Sequence, residues 1–156
     1  MILSSWRITK QKHANSAFTG EGARLYGGRW NTPGTAMVYT AQSQALAVLE
    51  ILVHLDRAEI LKAYVLMEVS FDAGLVEELD PAALPQNWKE DSAPAEVKAL
   101  GDAWVANATS AVLRVPSVIV PGESNFLLNP NHPGFRKLKF GPPTPYQFDP
   151  RLKARR

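Results

Sequence analysis

The chain has 156 residues, 46% of them apolar, a formal net charge of +2 and no cysteine. This length suits one core, and the apolar share is that of an ordinary globular chain. The absence of cysteine excludes disulfides, thiol nucleophiles and thiolate metal sites, and the scattered basic residues exclude a coherent nucleic-acid face.

The start, MILSSWRITK, lacks the basic-then-apolar order of a signal peptide, and the longest apolar stretch is too short to span a bilayer. A cytoplasmic, non-membrane protein is therefore expected. SWRI (5–8) reads as a short strand, and the Gly-, Asn- and Thr-rich residues 12–35 read as loop. AMVYTA (36–41) is β-prone, and Ser43 is placed to cap a helix over 44–55. In KAYVLMEVSF (62–71), Ala63, Val65, Met67, Val69 and Phe71 fall on one face of a strand. Residues 75–92 read as loop.

SAPAEVKALGDAWVANA (92–108) reads as a second helix, with Ser92 as its cap and Glu96 in its first turn. AVLRVPSVIV (111–120) is β-prone and broken at Pro116, while NFLL (125–128) and FRKLKF (135–140) read as further strands. From 141 the chain is proline-rich, read as irregular, and ends in a basic RLKARR taken as a solvated terminus. This order is no regular βαβ alternation. It predicts an α+β fold, a single domain over 1–156 with a mixed or antiparallel central sheet and flanking helices, its core in residues 5–140.

The chemistry centres on AVLEILVHL (47–55), where one carboxylate interrupts the most apolar stretch. On a helix, Ser43, Ala47, Glu50 and His54 share one narrow polar stripe. The plain reading is a solvated seam with a weak Glu50–His54 pair. The sharper reading packs both flanks of the helix and leaves Glu50 in a slot, where a carboxylate is costly and suspect. A lone carboxylate there suits stabilising an oxocarbenium-like ribosyl cation. With NAD the departing nicotinamide needs no general acid, so one Glu suffices.

Three further constellations stand near it in the reading. YGGRWN (26–31) offers glycines for close backbone approach, Arg29 as a fork for phosphate and Trp30 for stacking or packing. Tyr39 is either core or a stacking platform for a base. VPSVIVPGESNFLLNPNHPGF (115–135) holds Ser117, Asn125, Asn129 and His132 among fixed turns. No metal-ligand spacing, serine-hydrolase elbow, Walker loop or dinucleotide fingerprint is present.

Taken in order, WRI, GGRWN, VYTA, ALAVLEILVHL, VPSVIVP and NFLLNPNHP make the chain resemble the RES-domain family over roughly residues 5–140. The resemblance implies an ADP-ribosyltransferase-like fold and a toxin of a toxin–antitoxin pair that degrades NAD+ by hydrolysis or phosphorolysis. NAD+ is consumed as substrate, inorganic phosphate is a candidate co-substrate, and no metal is expected. The family's Arg, Tyr, Glu and Ser fall on Arg29, Tyr39, Glu50 and Ser117, with Ser124 a weaker alternative for the last. Arg7, Gly28, Trp30, Asn31, His54, Asn125 and His132 are expected to line the slot and bind substrate. The implied partner is an Xre-type antitoxin, a homodimer is compatible with the family, and nucleic acid is expected only through the antitoxin. The rivals are a mono-ADP-ribosyltransferase that modifies a protein and a non-catalytic interaction module.

Overall fold

The computed structural model describes residues 1–153. Its centre is one mixed sheet. β1 (Ile2–Lys10), β2 (Val38–Ala41) and β3 (Tyr64–Asp72) come first in the chain. β4 (Val76–Glu78), β5 (Val112–Pro116), β6 (Ser124–Leu128), β7 (Lys139–Phe140) and β8 (Thr144–Tyr146) follow. The order across the sheet is β4-β5-β6-β2-β1-β3-β7, with β8 also paired to β3. The β4–β5 pair is parallel and every other pair is antiparallel. This bears out the α+β expectation with a mixed sheet.

Alternation explains the two apolar layers. In β6, Phe126 and Leu128 enter a cluster with Val69, Phe71 and Val112, whereas Leu127 enters another with Leu113 and Val115. The second cluster is closed by α3 (Ala95–Asn107) through Val97 and Trp104. A third, around Ile8, Ala41 and Tyr64, is closed by α2 (Gln44–Leu52) through Leu46, Ala47 and Leu52, and by Phe148 from the tail.

Ser43 caps α2 as expected, its Oγ accepting from the Leu46 N–H at 3.0 Å. The helix ends at Leu52, three residues early, and it is not packed on both flanks: Leu49 and Val53 are 40% and 56% exposed. Glu50 therefore lies between a covered flank and a solvent-facing one.

Other expectations are corrected. The 12–35 loop contains α1 (Glu21–Tyr26), too short to show a period, and a 3-10 segment over Gln11–Ser16. β4 lies within the expected 75–92 loop, held by pairing with β5. α3 starts from Pro94 at its N-cap, without a capping bond from Ser92. The first half of FRKLKF ends a 3-10 helix over Pro133–Lys137, and only its last two residues form a strand, β7. The tail is not irregular throughout, since β8 pairs with β3 and Phe148 is buried. Of RLKARR, Arg151 to Lys153 end a 3-10 turn, and the final three residues lie outside the described residues. Among the described residues no helix is long and apolar enough to cross a membrane.

Candidate active site

Where β1, β2 and β6 lie side by side they face α2 and the segment from Gly20 to Trp30 across a cleft of about 1040 Å3. Arg29, Tyr39 and Glu50 all line it, as do Arg7, Gly28, His54 and Asn125. The pairing of β2 with both β1 and β6 brings residues 7, 39 and 125 together, and residues 29 and 50 face them from the segment after α1 and from α2.

Glu50 is half-buried, and its Oε1 accepts the Ser117 hydroxyl at 2.8 Å. Ser117 is only 2% exposed and stands directly after β5, at a turn closed by its own N–H donating to the Glu123 carbonyl at 2.9 Å. Its Oγ also accepts the backbone N–H groups of Ile119 and Val120, both at 3.1 Å. A hydroxyl has two lone pairs and one proton. Both lone pairs are occupied, so the proton points at Glu50 and fixes one edge of the carboxylate. Among the described residues Glu50 Oε2 has no protein donor, and His54 is exposed and makes no bond to Glu50.

Arg7 projects from β1 beside the same cleft. One guanidinium N–H donates to the Tyr39 carbonyl at 3.0 Å, while its buried Nε has no partner. No carboxylate pairs with it among the described residues, and burial pushes its pKa down. A desolvated, uncompensated cation that opens onto a cleft fits an anionic ligand. Arg29 is differently placed: it donates to the main-chain carbonyls of Trp88 and Asp91, both at 3.1 Å, which ties the glycine turn to the 85–94 loop. Two of its five donors are used and the others remain for a ligand.

Tyr39 is anchored at both ends. Its hydroxyl donates to Asn31 Oδ1 at 2.5 Å and accepts the Trp30 N–H at 3.0 Å, and its carbonyl is held by Arg7. Burial pushes the phenol pKa well above the ordinary range. The expected slot-lining residues divide accordingly. Asn31 is 0% exposed and lies behind the Tyr39 hydroxyl instead of on the cleft wall. Trp30 is 2% exposed, its ring held in the α3 cluster, so it offers the site its backbone more than its indole. Asn125 donates to the Thr40 carbonyl at 3.2 Å, bracing β6 on β2.

His132 is not brought to the cleft: its Nδ1 accepts the Gly134 N–H at 2.8 Å and caps the 3-10 turn that follows. Ser124 is occupied by Arg114, which donates to its Oγ at 3.1 Å. Sequence reasoning missed Tyr26, Asp91 and Lys98 on the cleft wall and the carbonyls that hold Arg29. Lone residues on a loop and a helix face carried no spacing signal for them. Among the described residues no group of three or more His, Asp or Glu side chains is arranged to hold a metal ion.

Comparison with known proteins agrees with this architecture. A protein called Toxin Res from Yersinia enterocolitica is 41% identical over 149 residues, covering 95% of this chain and 98% of its own length. One called Prs ADP-ribosylating toxin, from Sphingobium sp., is 37% identical, covering 97% of this chain and 98% of its own. Among solved structures, a chain of the M. tuberculosis MbcT–MbcA toxin–antitoxin complex superposes with a TM-score of 0.77 at 21% identity, over 98% of this chain and 87% of that one. The model of the RES domain matches residues 4–149, and the chain belongs to the RES domain family.

Proposed function

We propose that the protein is a toxin that cleaves the bond between nicotinamide and ribose in NAD+. The observation that carries this reading is the 2.8 Å hydrogen bond by which buried Ser117 holds Glu50, whose carboxylate lines the cleft shared by Arg7, Arg29 and Tyr39. One carboxylate oxygen is fixed by protein and the other is left for a ligand. When the C1′–N bond breaks, nicotinamide leaves with the bonding electron pair as a neutral base, so no acid has to protonate it. The positive charge that builds on the ribose is stabilised by Glu50, directly or through the 2′-hydroxyl. Arg7, the cation without a carboxylate partner, holds the pyrophosphate, with the free donors of Arg29 beside it. The ring of Tyr39 stacks on the nicotinamide end. The C1′ cation is then taken by water, giving ADP-ribose, or by inorganic phosphate, giving its 1″-phosphate.

A toxin of this kind has to be kept silent in its own cell. The solved neighbour is in a complex with an antitoxin, which supports an antitoxin partner here, of the Xre type that the resemblance to the family implies. A second reading has its own support: the relative named an ADP-ribosylating toxin makes a protein the alternative acceptor.

Purified protein incubated with NAD+, with and without phosphate, and the products weighed, tests the primary reading. Free nicotinamide with ADP-ribose or its 1″-phosphate is expected. Label from NAD+ fixed on protein in a lysate, with no free ADP-ribose, would instead establish the second reading. Glu50→Gln keeps the Ser117 bond and is expected to slow NAD+ loss by about a hundredfold or more. NAD+ loss at an unchanged rate in that variant would overturn the role of Glu50.

A further inference from the structure

We infer that Asn31 is a positioning residue that acts through the Tyr39 hydroxyl, and that this hydroxyl is a tether, leaving Tyr39 to work through its ring. The inference rests on the cleft being the active site. Asn31 is completely buried, so it touches no ligand. Its Nδ2 donates to the carbonyls of Ala23, Thr35 and Thr32 at 2.8, 3.0 and 3.1 Å. Turning the amide over would set its oxygen against three carbonyl oxygens, so only one orientation is stable. That orientation aims Oδ1 at the Tyr39 hydroxyl, 2.5 Å away.

The hydroxyl has nothing left to give a substrate. Its proton goes to Asn31 and it accepts from the Trp30 N–H. Gly28 leaves the room this pair needs, since a Cβ there would lie 2.6 Å from the phenolic oxygen and 3.0 Å from Asn31 Oδ1. The arrangement explains the second glycine of YGGRWN: a side chain there would push the phenol off its anchor. Arg7 holds the other end of the residue by the backbone carbonyl. The ring is thus fixed before any ligand arrives, which removes an ordering cost from binding and from the reaction.

The test is a double-mutant cycle with Asn31→Ala, Tyr39→Phe and the double variant, read as kcat/KM for NAD+ and as growth arrest on induction. Each single change is expected to cost on the order of tenfold, the cost of a loosened ring. The double variant is expected to be no worse than about threefold below the weaker single, because both remove the same tether. Tyr39→Phe is expected to keep the shape of the pH–rate profile up to about pH 10, the ordinary phenol range.

Multiplying losses would make Asn31 a merely structural residue and overturn the inference. So would a Tyr39→Phe variant as inactive as Glu50→Gln, a basic limb that disappears with the hydroxyl, or single variants equal to wild type. Where Asn31→Ala does not fold, Gly28→Ala serves in its place: its loss is expected to shrink in the Tyr39→Phe background, and an undiminished loss overturns the tether. If the wild type leaves NAD+ intact, the NAD+ reading has failed, and the same cycle read on growth arrest still decides between tether and structural residue.

Discussion

Replacing Ser117 by alanine separates the two jobs of one hydroxyl. Ser117 Oγ accepts from Ile119 and Val120 and donates to Glu50, at a site 2% exposed. Alanine leaves two backbone N–H groups without their acceptor in a place water scarcely reaches, and a buried unpaired donor costs about 1–3 kcal/mol. With part of that cost relieved by relaxation of the turn, the variant is expected to lose about 2–4 kcal/mol. That loss leaves most domains of this size folded but lowers Tm by roughly 5–15 °C. The second effect falls on Glu50. A hydrogen bond to a charged group is worth about 1.5–3 kcal/mol, so a carboxylate released from its guide is expected to lower kcat by about 10- to 150-fold.

Urea unfolding gives the first number and NAD+ consumption at a temperature where the variant is folded gives the second. Glu50→Gln, in which Oε1 still accepts from Ser117, is the control: it should lose activity with stability nearly unchanged. If Ser117→Ala unfolds within about 0.5 kcal/mol of wild type and consumes NAD+ at the wild-type rate, the three bonds do not matter and the account of the site is wrong.

Other perturbations follow from the same geometry. Arg7→Met removes a half-buried cation that has no carboxylate partner but also the donor to the Tyr39 carbonyl, so the two effects offset and stability is expected to change by no more than about 1 kcal/mol, while KM for NAD+ rises by at least about tenfold. A large fall in Tm with KM unchanged would mean that Arg7 is structural. Gly101→Ala places a Cβ 1.7 Å from the Trp30 carbonyl oxygen, on rigid backbone, and is expected to cost about 3 kcal/mol or more by urea unfolding. A variant as stable as wild type would show that α3 can shift away from the glycine turn. The Arg151 guanidinium holds the Asp149 carboxyl down to about 2. The contribution of that exposed pair is therefore present above about pH 4 and fades as the pH falls toward 2. A carboxyl-carbon NMR titration should give that midpoint in wild type and a higher one in Arg151→Ala, still below the free value of about 3.9 because the residue 151 backbone N–H continues to donate to Asp149.

How much of this could be read from the chain depended on how local the cause was. α2 was legible because its cap and its apolar period are local, and Ser43 does bond Leu46. β3 was legible because Val65, Met67, Val69 and Phe71 alternate and all four are buried. Two strands, β4 and β8, have three residues each and exist only through partners distant in sequence, so no period announced them. In the site, residue types were readable while their jobs were not. Asn31 was expected on the wall and stands behind it, because its three carbonyl partners and the Tyr39 hydroxyl are visible only in three dimensions. Arg29 was read as a free fork, yet two donors are committed to carbonyls 59 and 62 residues away. His132 was read as a site residue, and its ring merely starts a turn.

The order of strands has a consequence for how such a chain is made. β2 lies between β1 and β6, so the wall that carries Arg7 and Tyr39 is completed by the strand that follows Ser117. A ribosome that has just released Glu50 has yet to synthesise the serine that aims it. The cleft wall is therefore complete only once the last third of the chain has been made and the sheet has closed, late in translation.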